Sequence, residues 1–228
     1  MAKKRKTRKQ LLKAPDEFIS FSSKVLEFAI KNKIKIFYAL GVIVLFVIIG
    51  SGVRYLSNKA EDKAFTLLEQ AVNQYAFAAK ADGIEKAYQN VGQDFNFIIK
   101  KYSKSDGGKL ANIIYANICY KAGDYQKAID LYNKSLKDFN KHAAIKTLIL
   151  SGIAYNYEAK NDYKTAADYF EMIIAQSGNI MQDEALFHLG RIYELMGENE
   201  KSTAAFKKIV SDHTDSIYIE LARERVTI

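Results

Sequence analysis

The sequence predicts an all-α protein in which a single N-terminal transmembrane helix precedes an α-solenoid of about four helical hairpins and a C-terminal helix. Residues 36–53 form one apolar stretch without a charged side chain, and three later segments repeat at spacings of 38 and 36 residues. The chain of 228 residues contains only one Pro and 12 Gly. Because Pro and Gly interrupt helices, their scarcity favours long helices with short connections.

Residues 1–15 are predicted to be a basic, disordered N-terminus, because they contain too few apolar side chains to fold. Seven of the 11 residues at positions 3–13 are Lys or Arg. We favour the interpretation that this segment is a topology signal, which sets the orientation of the chain in the membrane and binds nothing in particular. The functional alternatives are attraction of residues 3–13 to anionic lipid, worth ~1 kcal/mol per basic residue near the surface, or to ribosomal RNA.

Residues 16–33 are predicted to be a juxtamembrane amphipathic helix. Phe18, Phe21, Val25 and Phe28 recur at helical spacing and form one apolar face, with lysines and serines opposite. Such a helix can lie in the interface of the inner leaflet. It can also dock on another membrane protein, and the sequence leaves both interpretations open.

Residues 34–54 are predicted to be a transmembrane helix, with residues 36–53 as its apolar part. A helix of this apolar length covers roughly 27 Å, close to the ~30 Å hydrocarbon thickness of a bilayer. A cleaved signal peptide is the competing interpretation. We favour an uncleaved anchor because the charged region before the apolar stretch, and the stretch itself, are longer than those of signal peptides.

The net charge of the chain lies entirely ahead of the apolar stretch. Residues 1–35 contain 11 basic and three acidic side chains, which gives +8, and the other residues contain 23 of each. By the positive-inside rule the N-terminus is cytoplasmic and the body lies across the membrane. A neutral body also makes nucleic acid an unlikely partner, because a basic face would have to lie on the folded domain.

The predicted soluble domain, residues 55–228, opens with two helices that show no clear repeat signature. The first extends from Glu61 to Lys80, and no turn signal separates it from the transmembrane helix. Asp82-Gly83 ends it, and apolar residues at alternating steps of four and three then mark a helix from Ile84 to Tyr102. The residues 104–108 are expected to connect this pair of helices to the next.

Three segments of the domain align without a gap: residues 112–136, 150–174 and 186–210. A period in this range is typical of stacked helical hairpins. Small residues that let the paired helices approach lie at Ala116, Ala154 and Gly190 on the first helix, and at Ala128, Ala166 and Ser202 on the second. The turns begin with Gly123, Asn161 and Gly197, residues that tolerate the left-handed conformation.

These segments resemble the tetratricopeptide repeat, whose pattern is W-x2-L-G-x2-Y, then A-x3-F, then P. The third segment has Leu189, Gly190, Tyr193 and Phe206 at the pattern positions, and the second has Tyr157, Ala166 and Phe170. The terminal proline is missing from all three segments. The last 18 residues are similar to the closing helix that follows such arrays.

A single N-terminal span followed by divergent repeats resembles the ancillary-subunit family of the SecYEG translocon, which is related to the repeat domain of a cell-division coordinator. The resemblance implies a single-pass protein of the bacterial inner membrane with a periplasmic domain. It implies a scaffold that binds secretory polypeptides, periplasmic chaperones or the Sec translocon. The alternative is a structural adaptor in envelope assembly or cell division with a fixed protein partner.

A protein-binding groove is predicted along the first helices of the repeats, because partners of such arrays lie along that surface. Its recurring aromatic side chains among polar ones suit an extended polypeptide. The alternative is that the C-terminal helix or the first long helix fills it. The predicted groove residues are Ile113, Asn117, Tyr120, Lys121, Ser151, Tyr155, Glu158, Phe187, Arg191 and Glu194.

The sequence contains no pattern that indicates catalysis, a cofactor or a metal. Cys119 is the single cysteine, so no disulfide can form within the chain, and its position together with that of Tyr115 predicts the core. His142 and His188 have no partner at a metal-ligand spacing, and His213 beside Asp212 lies in a connection. We therefore expect no enzymatic activity.

Overall fold

The computed structural model describes residues 17–176 and 181–226, with side chains from residue 21 onward, and every regular element within them is an α-helix. The predicted all-α fold is confirmed. The expectations for residues 1–15 lie outside the described residues. In chain order the helices are α1 (Glu17–Lys31), α2 (Lys33–Asp82), α3 (Ile84–Lys101), α4 (Asp106–Lys121), α5 (Tyr125–Asp138), α6 (Ala143–Ala159), α7 (Tyr163–Ile174), α8 (Gln182–Leu195), α9 (Asn199–Asp212) and α10 (Ile219–Val226).

The chain divides into two compact units, Met1–Ser57 and Asn58–Ile228. The first unit contains α1 and the N-terminal part of α2. One window of α2 is long and apolar enough to cross a membrane, and none of it is buried. Phe46, near the middle of the apolar stretch, is 71% exposed. Length, composition and exposure together are what a membrane-spanning helix requires.

The second unit begins with the C-terminal part of α2, which forms a hairpin with α3. Leu68 and Ala71 of α2 share one core cluster with Val91 and Phe95 of α3. The predicted break is confirmed, because α2 ends at Asp82 and Gly83 follows with φ of 90°. This is a backbone conformation that side chains other than glycine rarely adopt.

Two glycines open α4 instead of connecting it to α3, which differs from the expectation for residues 104–108. A Cβ atom at Gly108 would lie 1.9 Å from the backbone oxygen of Tyr102, and one at Gly107 would lie 3.0 Å from the Cβ of Ala64. The close approach brings Glu61 of α2 to the start of α4. Its carboxylate accepts hydrogen bonds from the backbone N–H groups of Asp106 and Gly107, at 2.9 and 2.8 Å.

The three repeated segments fold as the hairpins α4–α5, α6–α7 and α8–α9, and successive helices pack against one another. The left-handed turn residues are confirmed, with φ of 82° at Gly123, 60° at Asn161 and 75° at Gly197. In the first turn the N–H of Asp124 bonds to the carbonyl of Cys119 and that of Gly123 to Tyr120. The other two turns repeat this pair of bonds, which is the Schellman motif that closes a helix at its C-terminus.

The predicted small residues lie at the helix contacts within the hairpins, and all six are buried: Ala116, Ala154, Gly190, Ala128, Ala166 and Ser202. Contacts between hairpins also depend on a small residue. A Cβ atom at Gly152 of α6 would lie 2.4 Å from the ring of Tyr132 on α5. The expectation that Tyr115 and Cys119 belong to the core is confirmed, since both are fully buried.

Candidate binding groove

A pocket of about 580 Å³ lies across the first helices of the three repeats, at their C-terminal halves. Four of the predicted groove residues come together there: Tyr120 of α4, Tyr155 and Glu158 of α6, and Arg191 of α8. Their convergence follows from the repeat, because each hairpin places the same part of its first helix beside the same part of the next. The remaining lining residues are Ala159, Tyr163, His188 and Leu195.

The floor of the pocket is aromatic. The ring of Tyr155 lies 5.5 Å from that of Phe170 and 4.8 Å from the imidazole of His188, measured between centroids. His188 in turn stacks on Phe170 at 5.5 Å. Aromatic pairs at these distances fix the rings relative to one another. The floor is therefore held in place before any ligand binds.

Hydrogen bonding fixes the Tyr155 side chain further. Its hydroxyl donates to the carboxylate of Glu184, one turn before His188 on α8. Burial, and then this hydrogen bond to a carboxylate, raise the pKa of Tyr155 above its ordinary value. The phenol therefore keeps its proton, and its hydrogen bond to Glu184, to a higher pH than an ordinary tyrosine would.

The rim of the pocket carries both signs of charge. The Glu158 carboxylate lies 3.7 Å from the Arg191 guanidinium and 3.7 Å from Nδ1 of His188. Nδ1 of His188 is buried and makes no hydrogen bond to the described residues. Neither contact to Glu158 reaches hydrogen-bond distance, so the Glu158 carboxylate and the Arg191 guanidinium retain capacity for a ligand.

Tyr120 is the most accessible aromatic side chain of the pocket among the predicted groove residues, with 37% of it exposed. Its ring lies 5.9 Å from that of Tyr125. Burial first, and then the negative charge of Glu158, raise the pKa of Tyr120. An exposed phenol beside a largely buried carboxylate offers an apolar face together with a polar edge.

The C-terminal segment covers the groove at its other end. The ring of Tyr218 stacks on that of Phe187 with centroids 4.6 Å apart, and Arg225 of α10 donates to the Glu194 carboxylate at 2.6 Å. The Ser216 hydroxyl donates to Asp183 at 2.6 Å. The interpretation in which the chain fills its own groove therefore holds around Phe187 and Glu194, whereas the pocket at Tyr120 and Tyr155 is open.

The structure does not place every predicted groove residue on the surface. Ile113 and Ser151 are each only 4% exposed, and Ile113 belongs to the core cluster of the first hairpins. Their expected outward orientation is wrong, because the packed helices of the second unit cover both side chains. Asn117 is exposed and accepts a hydrogen bond from the Tyr132 hydroxyl, and Lys121 is exposed at the end of α4.

The sequence interpretation predicted Arg191 but missed His188 and Leu195, which lie on the same face of α8. His188, Arg191 and Leu195 lie three and four residues apart and line the pocket together. Glu184, four residues before His188, continues the same face. This spacing of polar and charged residues along one helix face was the available signal. Tyr163, the first residue of α7, was also missed. It lies two residues after the turn residue Asn161 and lines the pocket.

The lining of the pocket is chemically mixed. It combines fixed aromatic surfaces, one cation, one carboxylate and an imidazole, and the carboxylate of Glu184 holds Tyr155 through a hydrogen bond. Within the described residues no three His, Cys, Asp or Glu side chains are placed to hold a metal ion. Such a surface suits a ligand that contributes both apolar groups and hydrogen-bonding groups, as a polypeptide does.

Known families and structures agree with this fold. A family model of the tetratricopeptide repeat matches residues 184–216, which cover α8, α9 and their connection. No curated protein matches the chain significantly.

Solved structures with the same arrangement of helices are distant in sequence. The nearly identical TPR-like repeats assigned to a kinesin light chain of Podosopora anserina share 12% identity, with a TM-score of 0.54 over 70% of this chain and 83% of that one. A tetratricopeptide repeat protein from Parabacteroides merdae shares 16% identity, with a TM-score of 0.55 over 71% of this chain and 59% of that one. The second unit is therefore a TPR-like solenoid, a class of repeat that generally serves as a scaffold for protein–protein interaction.

Proposed function

We propose that this protein is a membrane-anchored scaffold that binds an extended segment of a partner polypeptide in the pocket around Tyr120, Tyr155 and Arg191. The single observation that carries this proposal is the open pocket of about 580 Å³ across three repeats. Its volume lies within the ~300–1,000 Å³ typical of ligand sites, which is room for a few side chains of a bound segment.

The composition of the pocket supports a polypeptide ligand. Tyr120 and Tyr163 offer ring faces to apolar side chains, while Glu158 and Arg191 can hydrogen-bond to peptide groups or to charged side chains of the ligand. Aromatic and arginine side chains dominate the binding energy of protein interfaces. The Tyr155 ring is already held by Phe170 and His188, so little side-chain entropy is lost on binding.

The anchor would keep this groove beside a membrane. The charge of +8 in residues 1–35 favours a cytoplasmic N-terminus and a groove on the opposite, extracytoplasmic face. The likeness in layout to the ancillary SecYEG subunits supports an inner-membrane location, where exported chains, periplasmic chaperones or the translocon would be the partners. Tethering raises the effective concentration of the groove at the membrane without any new contact.

Site-specific photocrosslinking in the intact membrane tests this proposal. A benzophenone amino acid at position 120 or 163 is expected to capture polypeptide, whereas the same probe at Lys207, exposed on α9, should not. Reversing the charge of Arg191 in the crosslinking variant should reduce the yield. Equal capture at position 207 would refute binding in the groove. A crosslinking yield that is unchanged by the substitution of Arg191 would refute it as well.

The same experiment distinguishes the kinds of partner. Crosslinked products that increase with the load of exported protein would support binding of secretory chains or their chaperones. A single product in constant ratio, insensitive to that load, would instead identify a structural adaptor with a fixed partner.

A further inference from the structure

The apolar face of α1 is exposed along the whole of the helix for which side chains are described. Phe21, Leu26 and Phe28 are 66%, 62% and 64% exposed, and no other described part of the chain covers them. A helix face with this many large apolar side chains is unstable in water and requires an apolar surrounding.

The opposite face of α1 is polar and partly basic. At 100° per residue, Lys24, Glu27 and Lys31 lie on one side of the helix, away from Val25 and Leu26. A wide apolar face with lysines on the other side is the pattern of helices that lie in the plane of a membrane interface.

The neighbouring sequence favours an anionic surface. Only Asn32 separates α1 from α2, so the apolar face of α1 cannot be far from the lipid that surrounds a transmembrane α2. Residues 1–35 carry 11 basic side chains against three acidic ones. Basic residues near an anionic leaflet add electrostatic attraction to the burial of the apolar face.

We infer that α1 is an interfacial helix that buries its apolar face among the acyl chains of anionic lipid, on the side of the membrane that holds the basic N-terminus. This inference rests on the membrane anchor proposed above. It assigns residues 17–31 a lipid-binding role that is separate from the groove. The lipid contact fixes the end of the anchor at the membrane surface and resists its movement across the bilayer.

Depth-dependent quenching of an introduced tryptophan tests this inference in the full chain. The sequence contains no Trp, so a single substitution gives an unambiguous signal. Leu26→Trp places the indole on the apolar face, and Glu27→Trp, at the next residue, places it on the polar face. The two variants are reconstituted in vesicles of phosphatidylcholine and phosphatidylglycerol that contain lipids brominated near the headgroup.

Quenching is expected to be about twofold or more stronger at position 26 than at position 27, because only the apolar face enters the interface. The difference should shrink in vesicles of phosphatidylcholine alone. Equal quenching at the two positions would overturn the inference. A difference in quenching that is the same with and without phosphatidylglycerol would overturn the assignment to anionic lipid. A blue-shifted but unquenched signal at position 26 would indicate contact with a second copy of the chain and would also overturn it.

A third variant separates this inference from the anchor. Phe46→Trp reports on the middle of the apolar stretch and is read with lipids brominated deep in the acyl chain. Quenching at position 46 without the difference between positions 26 and 27 would leave the anchor intact and refute the interfacial helix. Quenching at position 26 without quenching at position 46 would support lipid binding by α1 and refute the anchor.

Discussion

Gly190 of α8 lies against the ring of Phe206 on α9, the second helix of the last hairpin. A Cβ atom at this position would lie 2.7 Å from the ring of Phe206, which is itself buried. Glycine here gives no conformational advantage, because α8 is regular at this point. Glycine is required because the Phe206 ring occupies the space that a side chain at position 190 would need. Packing therefore determines the residue type at this position.

Gly190→Ala is expected to lower the free energy of unfolding by about 1–3 kcal/mol, the usual cost of overpacking a core. Phe206→Leu removes the far end of the ring, so the double variant should lose less stability than the sum of the two single changes. Urea unfolding of the detergent-solubilised chain measures all three. Strict additivity would show that the two side chains do not interact.

Cys119 provides a natural reporter for such measurements. It is fully buried, and burial raises the pKa of its thiol to about 12. The thiolate is the reactive form, so a thiol reagent at pH 8 should label Cys119 only when the second unit opens. The control is Lys121→Cys in a Cys119→Ser background, which is expected to react at the rate of a free thiol. Equal rates for Cys119 and the control would contradict burial.

At the scale of elements, α2 determines where α4 begins. The carboxylate of Glu61 accepts two N–H groups that the helix itself leaves without partners, and the Ser105 side chain accepts a third from Gly108 at 3.0 Å. A negative charge at a helix N-terminus is also favourable for the helix dipole. The long helix thus contributes a hydrogen-bonding contact to the first repeat as well as an apolar one.

Glu61→Ala is expected to lower the free energy of unfolding by about 0.5–2 kcal/mol, the range observed for the loss of a helix cap. Glu69→Ala, an exposed change in the same helix, serves as the matched control and should change stability by less than about 0.5 kcal/mol. Both are read from urea unfolding with Cys119 labelling as the signal. Equal effects of the two changes would exclude the capping role.

Local patterns predicted the helices and turns better than the groove. The turns could be predicted because each requires a left-handed residue, and Gly and Asn are the residue types that tolerate this conformation. The three residues are Gly123, Asn161 and Gly197. Ile113 and Ser151 were placed on the surface because helical spacing gives the faces of one helix and not the neighbours that cover them. The covering of Phe187 by Tyr218 depends on where the C-terminal segment packs, which no local pattern encodes.

At the scale of the whole molecule, three core clusters connect the repeats of the second unit. The first joins α2 to α6, the second joins α6 to α8, and the third includes Phe206 and the C-terminal Ala222. Because each hairpin buries its apolar face only against its neighbours, the stability of such an array is shared among its interfaces. No disulfide contributes, since the chain has a single cysteine.

This shared core contains weakly acidic groups whose pKa is raised in the folded state. Burial, followed by a hydrogen bond to Asp124, raises the pKa of Tyr88 to about 12, and burial raises that of Cys119 to about 12. Burial and a bond to Glu171 also raise the pKa of Tyr193. In the unfolded chain these phenols and the thiol titrate near their ordinary values of 10.0 and 9.0.

The second unit is therefore expected to lose stability in alkali. A group whose pKa is higher in the folded state holds its proton more tightly there. Its contribution to the free energy of unfolding is therefore complete below about pH 9 and is lost as the pH rises toward 12. Urea unfolding at pH 8, 10 and 11.5, combined with tyrosine absorbance at 295 nm, measures this dependence. The buried tyrosines should ionise only as the helical signal disappears. If all 15 tyrosines of the chain ionised near pH 10 while the helices persisted, the packing of Tyr88, Tyr155 and Tyr193 described above would be wrong.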